Sequence, residues 1–261
     1  MRDFTLRKYE LLLTNLQVKG YEFITFEDYC KSDKMSLPSK FIILRHDVDK
    51  RAWCSLKTAQ IENKLHIRAS YYFRVVKQSN KPQIIKEIVE LGHEIGYHYE
   101  DMSLCEGDNS KAKLHFKEWL NYFRKFYPVK TICMHGAPQS KWDSKYIWNT
   151  CNYRDFGIIG EPYYDTDFSQ IVYLTDTGRR WDGYKVSVRD KIPAYQELWN
   201  DEGYVYHTTD DMIKAIDAAS FPKQVMITTH PQRWLDNYFL WFYELLRQNA
   251  VNVIKRILIS R

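Results

Sequence analysis

No linker, low-complexity segment or internal repeat interrupts this 261-residue chain, which excludes modular strings and solenoids and leaves a globular protein large enough for a substantial core. The five cysteines (Cys30, Cys54, Cys105, Cys133 and Cys151) are widely spaced, odd in number and form no CxxC pair, so neither a disulfide framework nor a zinc knuckle is expected. The opening Arg-Asp-Phe-Thr-Leu-Arg lacks the apolar core of a signal peptide. Apolar runs such as Tyr238–Tyr243 are too short to cross a bilayer. Together these absences predict a reduced, cytoplasmic protein with mostly structural thiols and no membrane span. Charge of one sign is not massed anywhere: 38 Lys+Arg face 33 Asp+Glu, scattered along the chain, which is not a nucleic-acid footprint. Aromatics are plentiful at 16%, with 20 Tyr and 8 Trp; they suit a core or a sugar-binding cleft, and composition does not separate the two.

The pattern alternates between strand and helix. Strands are expected at 21–26, 41–44, 69–75, 94–97, 131–134 and 224–229, with shorter ones at 157–160, 171–174 and 185–188. Helices are expected at 5–17, 52–64, 83–91, 111–126, 141–149, 210–219 and 233–249. Repeated β-then-α units predict parallel strands with helical crossovers. The expected fold is one α/β domain over 1–261, more barrel-like than open. An N-terminal extension (1–40) packs on a core (41–234), and a C-terminal helix (235–261) follows.

Four strand ends carry chemistry-bearing side chains. In Phe41-Ile-Ile-Leu-Arg45-His46-Asp47-Val48-Asp49, alternation puts Asp47 and Asp49 on one side and His46 and Val48 on the other. Two carboxylates held together call for a cation, a nearby Arg or Lys, or a shared proton; the plainer reading is a capping pair on a strand-to-helix turn. Gly92-His93-Glu94-Ile-Gly-Tyr97-His98-Tyr99-Glu100-Asp101 resembles HExxH only superficially, because histidines five apart face different ways on helix or strand. His98, at the strand's exit, is the better ligand, and His93 suits holding the turn after Gly92. His135 follows Cys133-Met134, and His230 follows Val225–Thr229. Acids and histidines converging in one cleft describe a divalent metal site with room for acid–base chemistry.

These stretches, taken together, resemble the NodB-type polysaccharide deacetylases, metal-dependent carbohydrate esterases with a distorted (β/α) barrel. The likeness rests on Leu-Arg-His-Asp-Val-Asp at 44–49, Leu-Gly-His-Glu-Ile-Gly-Tyr-His at 91–98 and Ile-Thr-Thr-His at 227–230. It implies Asp47 as catalytic base, Asp49 and His98 as metal ligands, His230 as general acid, and a divalent ion, zinc by preference. It also implies an acetylated sugar as substrate, with a surface-polysaccharide precursor suggested by the missing export signal. Two departures are visible. Met102 stands where the family has its second metal histidine, leaving His135, Glu100 or Asp101 as candidate third ligand. The family's Arg-Pro turn, whose Arg orients the base, is replaced by Met134-His135-Gly136-Ala137-Pro138, so His135 is a candidate for that orienting role or for the metal, and the 181–183 turn is a candidate source of the partner acid. Tyr99, Trp181, Arg233 and Trp234 are candidate sugar contacts. A hydrolase of another non-peptide C–N bond and an inactive carbohydrate-binding member are the alternatives.

Overall fold

The computed structural model describes residues 2–181, 187 and 189–259. Its strands are β1 (Glu22–Ile24), β2 (Phe41–Val48), β3 (Ser70–Phe73), β4 (Glu94–Tyr99), β5 (Ile132–Met134), β6 (Val172–Thr175) and β7 (Gln224–Thr229). Every pairing between them is parallel. The ladder runs β5-β4-β3-β2-β7-β6, with β1 added beside the start of β2. From β2 onward this is the chain order of a barrel cut once, between β5 and β6. The molecule is a distorted (β/α) barrel.

β2 is the axis of the sheet, and each of its residues is buried. It has neighbours on both sides, which is why its apolar run does not alternate with polar residues. Helices α1 (Leu6–Val18), α2 (Phe26–Lys31), α3 (Ala52–Lys64), α4 (Pro82–Glu90), α5 (Asp101–Leu104) and α6 (Asn109–Phe123) accompany the first half. The second half carries α7 (Pro162–Asp165), α8 (Pro193–Asp201), α9 (Thr209–Asp217) and α10 (Tyr238–Ile259). The N-terminal segment is tied to the barrel from beneath. Glu62 of α3, fully enclosed, accepts from Tyr9 of α1 and Tyr71 of β3 and pairs with His46 at 2.8 Å. A buried carboxylate is tolerable only with its lone pairs occupied in this way.

Among the described residues no backbone ladder joins β5 to β6; side chains and one short segment bridge the gap instead. Gly160 makes a single parallel bridge to Thr131, and Glu161 accepts the backbone N–H of Met134 at 3.0 Å. Tyr163 then reaches the Tyr173 hydroxyl of β6 at 3.4 Å and accepts from Arg45 at 3.3 Å.

Some elements differ from the sequence expectation. The 141–149 helix is only a 3₁₀ turn, Ser144–Asn149, and 157–160 contributes one bridge rather than a strand. The last helix begins at Tyr238, after a 3₁₀ turn at Pro231–Arg233, because Pro231 and the buried Trp234 fix a turn before it. α8 has no counterpart in the expected pattern. The strand expected at 185–188 falls largely outside the described residues, as do Asp182 and Gly183 of the 181–183 turn.

Candidate metal centre

The C-terminal ends of β2, β4, β5 and β7 deliver Asp47, Asp49, His98, His135 and His230 into one cleft of about 100 Å³. Alternation along β2 sends Asp47 to this side and His46 to the opposite face, where it pairs with Glu62. It also sends Arg45 the same way as Asp47. Arg45 is fully buried, and its guanidinium grips Asp47 through two bonds, Nε to Oδ1 at 2.9 Å and Nη2 to Oδ2 at 2.7 Å. Burial alone would raise the Asp47 pKa; Arg45, helped by His98, outweighs it and holds the carboxyl below its ordinary value.

Asp49 is ringed by imidazoles. Its Oδ1 lies 3.6 Å from His98 Nε2 and 3.5 Å from His135 Nε2, and its Oδ2 lies 3.8 Å from His230 Nε2. These separations are too long for hydrogen bonds. Each ring is held from behind by its other nitrogen. His98 Nδ1 meets the Cys133 carbonyl at 2.9 Å, His135 Nδ1 meets Glu100 at 2.8 Å, and His230 Nδ1 meets Asp176 at 2.6 Å. A carbonyl or carboxylate can only accept, so we assign the proton to Nδ1 in His98 and His135; His230 Nδ1 lies between the Asp176 carboxylate and, at 2.6 Å, the Arg233 guanidinium, which can only donate. In a neutral His98 or His135 ring the lone pair of Nε2 then faces Asp49.

A metal fits this arrangement on three grounds. The buried Asp49 Oδ1 has no hydrogen-bond partner, an expensive state for a carboxylate oxygen unless a cation occupies the space before it. Asp49, His98 and His135 offer ligand atoms all within 4.8 Å of one another. The 3.5 and 3.6 Å edges also approach the ~3.4 Å ligand-to-ligand edge implied by zinc bonds of about 2.0–2.2 Å. A second grouping, Asp47, His98 and Cys133, suits a metal less well. Arg45 already occupies Asp47, and burial pushes the Cys133 thiol well up, away from the thiolate a metal binds.

Of the candidate third ligands, the structure brings His135 to the cluster. Glu100 stands behind it, pairing with Arg74 through two 2.8 Å bonds and accepting from His135. Burial would raise the Glu100 pKa, but His135 and Arg74 together bring it to about 2. Asp101 is turned away, accepting Tyr97 at 2.8 and 2.9 Å and meeting His115 at 2.5 Å. Met102, 4% exposed, packs in the core with its sulfur 3.8 Å from Asn109. His93 is buried on the outer face, accepting the Ala69 N–H and donating to the Ala59 carbonyl.

The expected sugar contacts are corrected by burial. Tyr99 is enclosed, its hydroxyl accepting from Trp148 at 2.9 Å; Trp181 is equally enclosed, its indole donating to Thr209 at 3.1 Å. Trp234, also buried, donates to Asp176 at 2.9 Å. None of these rings has a free face for a pyranose. Arg233 does line the cleft, with its guanidinium against Asp176 and His230.

Three further groups were not singled out from the sequence. Asp176, just past β6, holds His230 by both its ring and its backbone N–H. Burial would raise its pKa, but Arg233 and His230 hold it low. Asp190 is gathered in by the hydroxyls of Tyr163, Tyr173, Thr175 and Thr177. Arg45 is the clamp described above. Leu174-Thr175-Asp176 shows the same signal as the other strand ends, and Arg45 stands two residues before Asp47; both were open to the alternation rule. Asp190 sits in a loop and carried no such signal.

No family model and no curated protein matches the chain. Among solved structures it is similar to a CE4 family pseudoenzyme from Bacillus anthracis, with a TM-score of 0.40 and 11% identity over 81% of this chain and 61% of that one. It is also similar to the Xyl-CE4 domain of a multidomain xylanase from the hindgut metagenome of Trinervitermes trinervoides, with a TM-score of 0.34 and 13% identity over 84% and 85% of the two chains. The chain thus spans less than two thirds of the first structure's length. Likenesses this distant say nothing about chemistry, which has to rest on the cleft itself.

Proposed function

We propose that this protein is a metal-dependent hydrolase that removes an N-acetyl or related acyl group from a sugar, a precursor in surface polysaccharide assembly. The observation that carries the proposal is the unpartnered Asp49 Oδ1 facing the Nε2 atoms of His98 and His135. In this reading Asp49, His98 and His135 hold the ion, zinc by preference. When bound, it would supply Lewis-acid polarisation of the acyl carbonyl and a more acidic water.

The chain's own residues do the rest. Asp47, kept ionised by Arg45, takes the proton of the attacking water. His230, oriented by Asp176, hands a proton from Nε2 to the departing amine, and Asp176 stabilises the imidazolium that precedes this transfer. A cleft of about 100 Å³ has the volume of roughly three waters. It admits an acyl group and leaves the sugar at the mouth.

The test is acetate release from a panel of N-acetylated nucleotide sugars and lipid-linked sugars, with zinc supplied. Turnover that disappears in Asp47→Asn supports the proposal. Zinc binding and sugar binding without turnover on the whole panel would make the protein a binder, and the hydrolase reading would fall.

A further inference from the structure

We propose that α10 is an interfacial anchor that seats this protein on an anionic lipid surface, beside the mouth of the cleft. The helix is inside out. The residues it turns toward the barrel are Glu244, Gln248 and Asn252, all buried, four apart and therefore on one face. Each is satisfied there. Glu244 meets Lys50 at 3.6 Å, Arg51 at 3.5 Å and Arg247 at 2.7 Å; Gln248 donates to Asn252, and Asn252 donates to the Gly178 carbonyl. The opposite face is largely apolar and bare: Phe239 is 81% exposed, and Phe242, Tyr243, Leu246, Val253 and Ile254 all face solvent, with Asn249 the polar residue among them. A soluble protein ordinarily arranges a surface helix the other way round, and an exposed apolar stripe of this extent marks an interaction surface.

Length and charge choose the occupant. The helix has 22 residues, about 33 Å, yet no helix among the described residues is long and apolar enough to cross a membrane. Such a helix lies along a surface rather than through it. Aromatic residues crowd its first turns, where Arg2 packs on the rings of Tyr238 and Trp241, and amphipathic rings of this kind favour the headgroup level.

Its surroundings are basic. Lys50, Arg51 and Arg247 gather on the carboxylate of Glu244, with Asp49 also facing Arg247, which leaves positive charge in excess. Lys50 and Arg51 continue into a groove that also holds Lys77, Lys81 and the exposed Trp53. Excess cations beside a helix that presents an apolar stripe complement anionic headgroups. A second copy would be a poorer occupant: the stripe's 4-3 spacing at 239, 243, 246, 250 and 253 suits helix pairing, but a two-fold contact would bring two such basic collars together. Lys50 directly follows Asp49, so a surface bound by α10 lies next to the cleft, and the substrate class within the proposed function becomes a lipid-linked sugar.

The test uses the full chain and flotation with vesicles of phosphatidylcholine, alone or mixed with phosphatidylglycerol. Expected are partitioning onto the mixed vesicles, weakening with salt, and a loss of about tenfold or more in Phe239→Ser. That variant changes an exposed side chain and should keep the wild-type circular dichroism. Asp47→Asn should bind vesicles like wild type, so failure of the hydrolase proposal and failure of this one are separately visible. The anchor proposal is overturned by folded wild-type protein that ignores the mixed vesicles, or by equal binding to pure phosphatidylcholine. It is equally overturned by a lipid-free dimer that Phe239→Ser dissolves.

Discussion

The identity of the third metal ligand can be tested at three positions, 135, 100 and 102. His135 Nε2 lies 3.5 Å from Asp49 Oδ1 and is aimed there by Glu100; Met102 lies in the core beside Asn109. Removing a residue that orients a metal-bound histidine costs about 10–100-fold in affinity, so Glu100→Gln should weaken zinc binding by that much, about 1.4–2.7 kcal/mol. Removing the ligand itself costs more, and His135→Ala should lose at least about 100-fold. Met102→Leu conserves volume, removes the sulfur and touches no cluster residue. It should leave zinc affinity within about threefold and cost less than about 1.5 kcal/mol of stability. Competition against a chromophoric chelator measures all three variants, and cobalt absorption reports whether a tetrahedral site survives. Unchanged affinity in His135→Ala, or a collapse in Met102→Leu, would refute the assignment.

Two other perturbations test the interior. Arg45→Met strips the partner from a buried carboxylate and should cost about 3–5 kcal/mol in urea unfolding; a loss under 1 kcal/mol would show that Asp47 is not relying on it. Glu94, at the other end of β4 from His98, has its pKa raised from 4.5 to about 7 by burial, despite accepting from Ser70, Thr131 and the Glu27 N–H. The folded protein therefore binds this proton more tightly than the unfolded chain. The stability it contributes is fully present below pH 4.5 and is lost as pH rises to about 7, by roughly 3 kcal/mol in all. Glu161 is raised to about 7 in the same way, so Glu94→Gln should reduce the loss of stability between pH 4.5 and 7 without abolishing it, and an unaltered slope would count against the assignment.

Much of this architecture was legible because β2 and β7 are long, apolar and run out into polar, ionisable residues, so their direction and exit points follow from period and polarity. Asp47, Asp49, His98 and His230 share one cleft because strand ends in a parallel barrel share one rim. What stayed hidden depends on contacts distant in sequence. Nothing near Glu100 or Asp101 announces that one faces Arg74 and the other Tyr97 and His115. The aromatic surplus was ambiguous for the same reason: Tyr99, Trp181 and Trp234 have the composition of a sugar cleft and the environment of a core. α10 was legible as a helix, but its orientation was not, since a hydrophobic period fixes a face without saying which way the face looks.

The barrel's seam between β5 and β6 carries a consequence of its own. Every other strand junction is a backbone ladder, which solvent can loosen only by pulling strands apart. This one is fastened by the hydroxyls of Tyr163 and Tyr173, the carboxylates of Asp190 and Glu161, and the guanidinium of Arg45. Side-chain bonds of that type hold a junction less cooperatively than a strand ladder, so among the described residues this seam is where the cylinder is expected to open first.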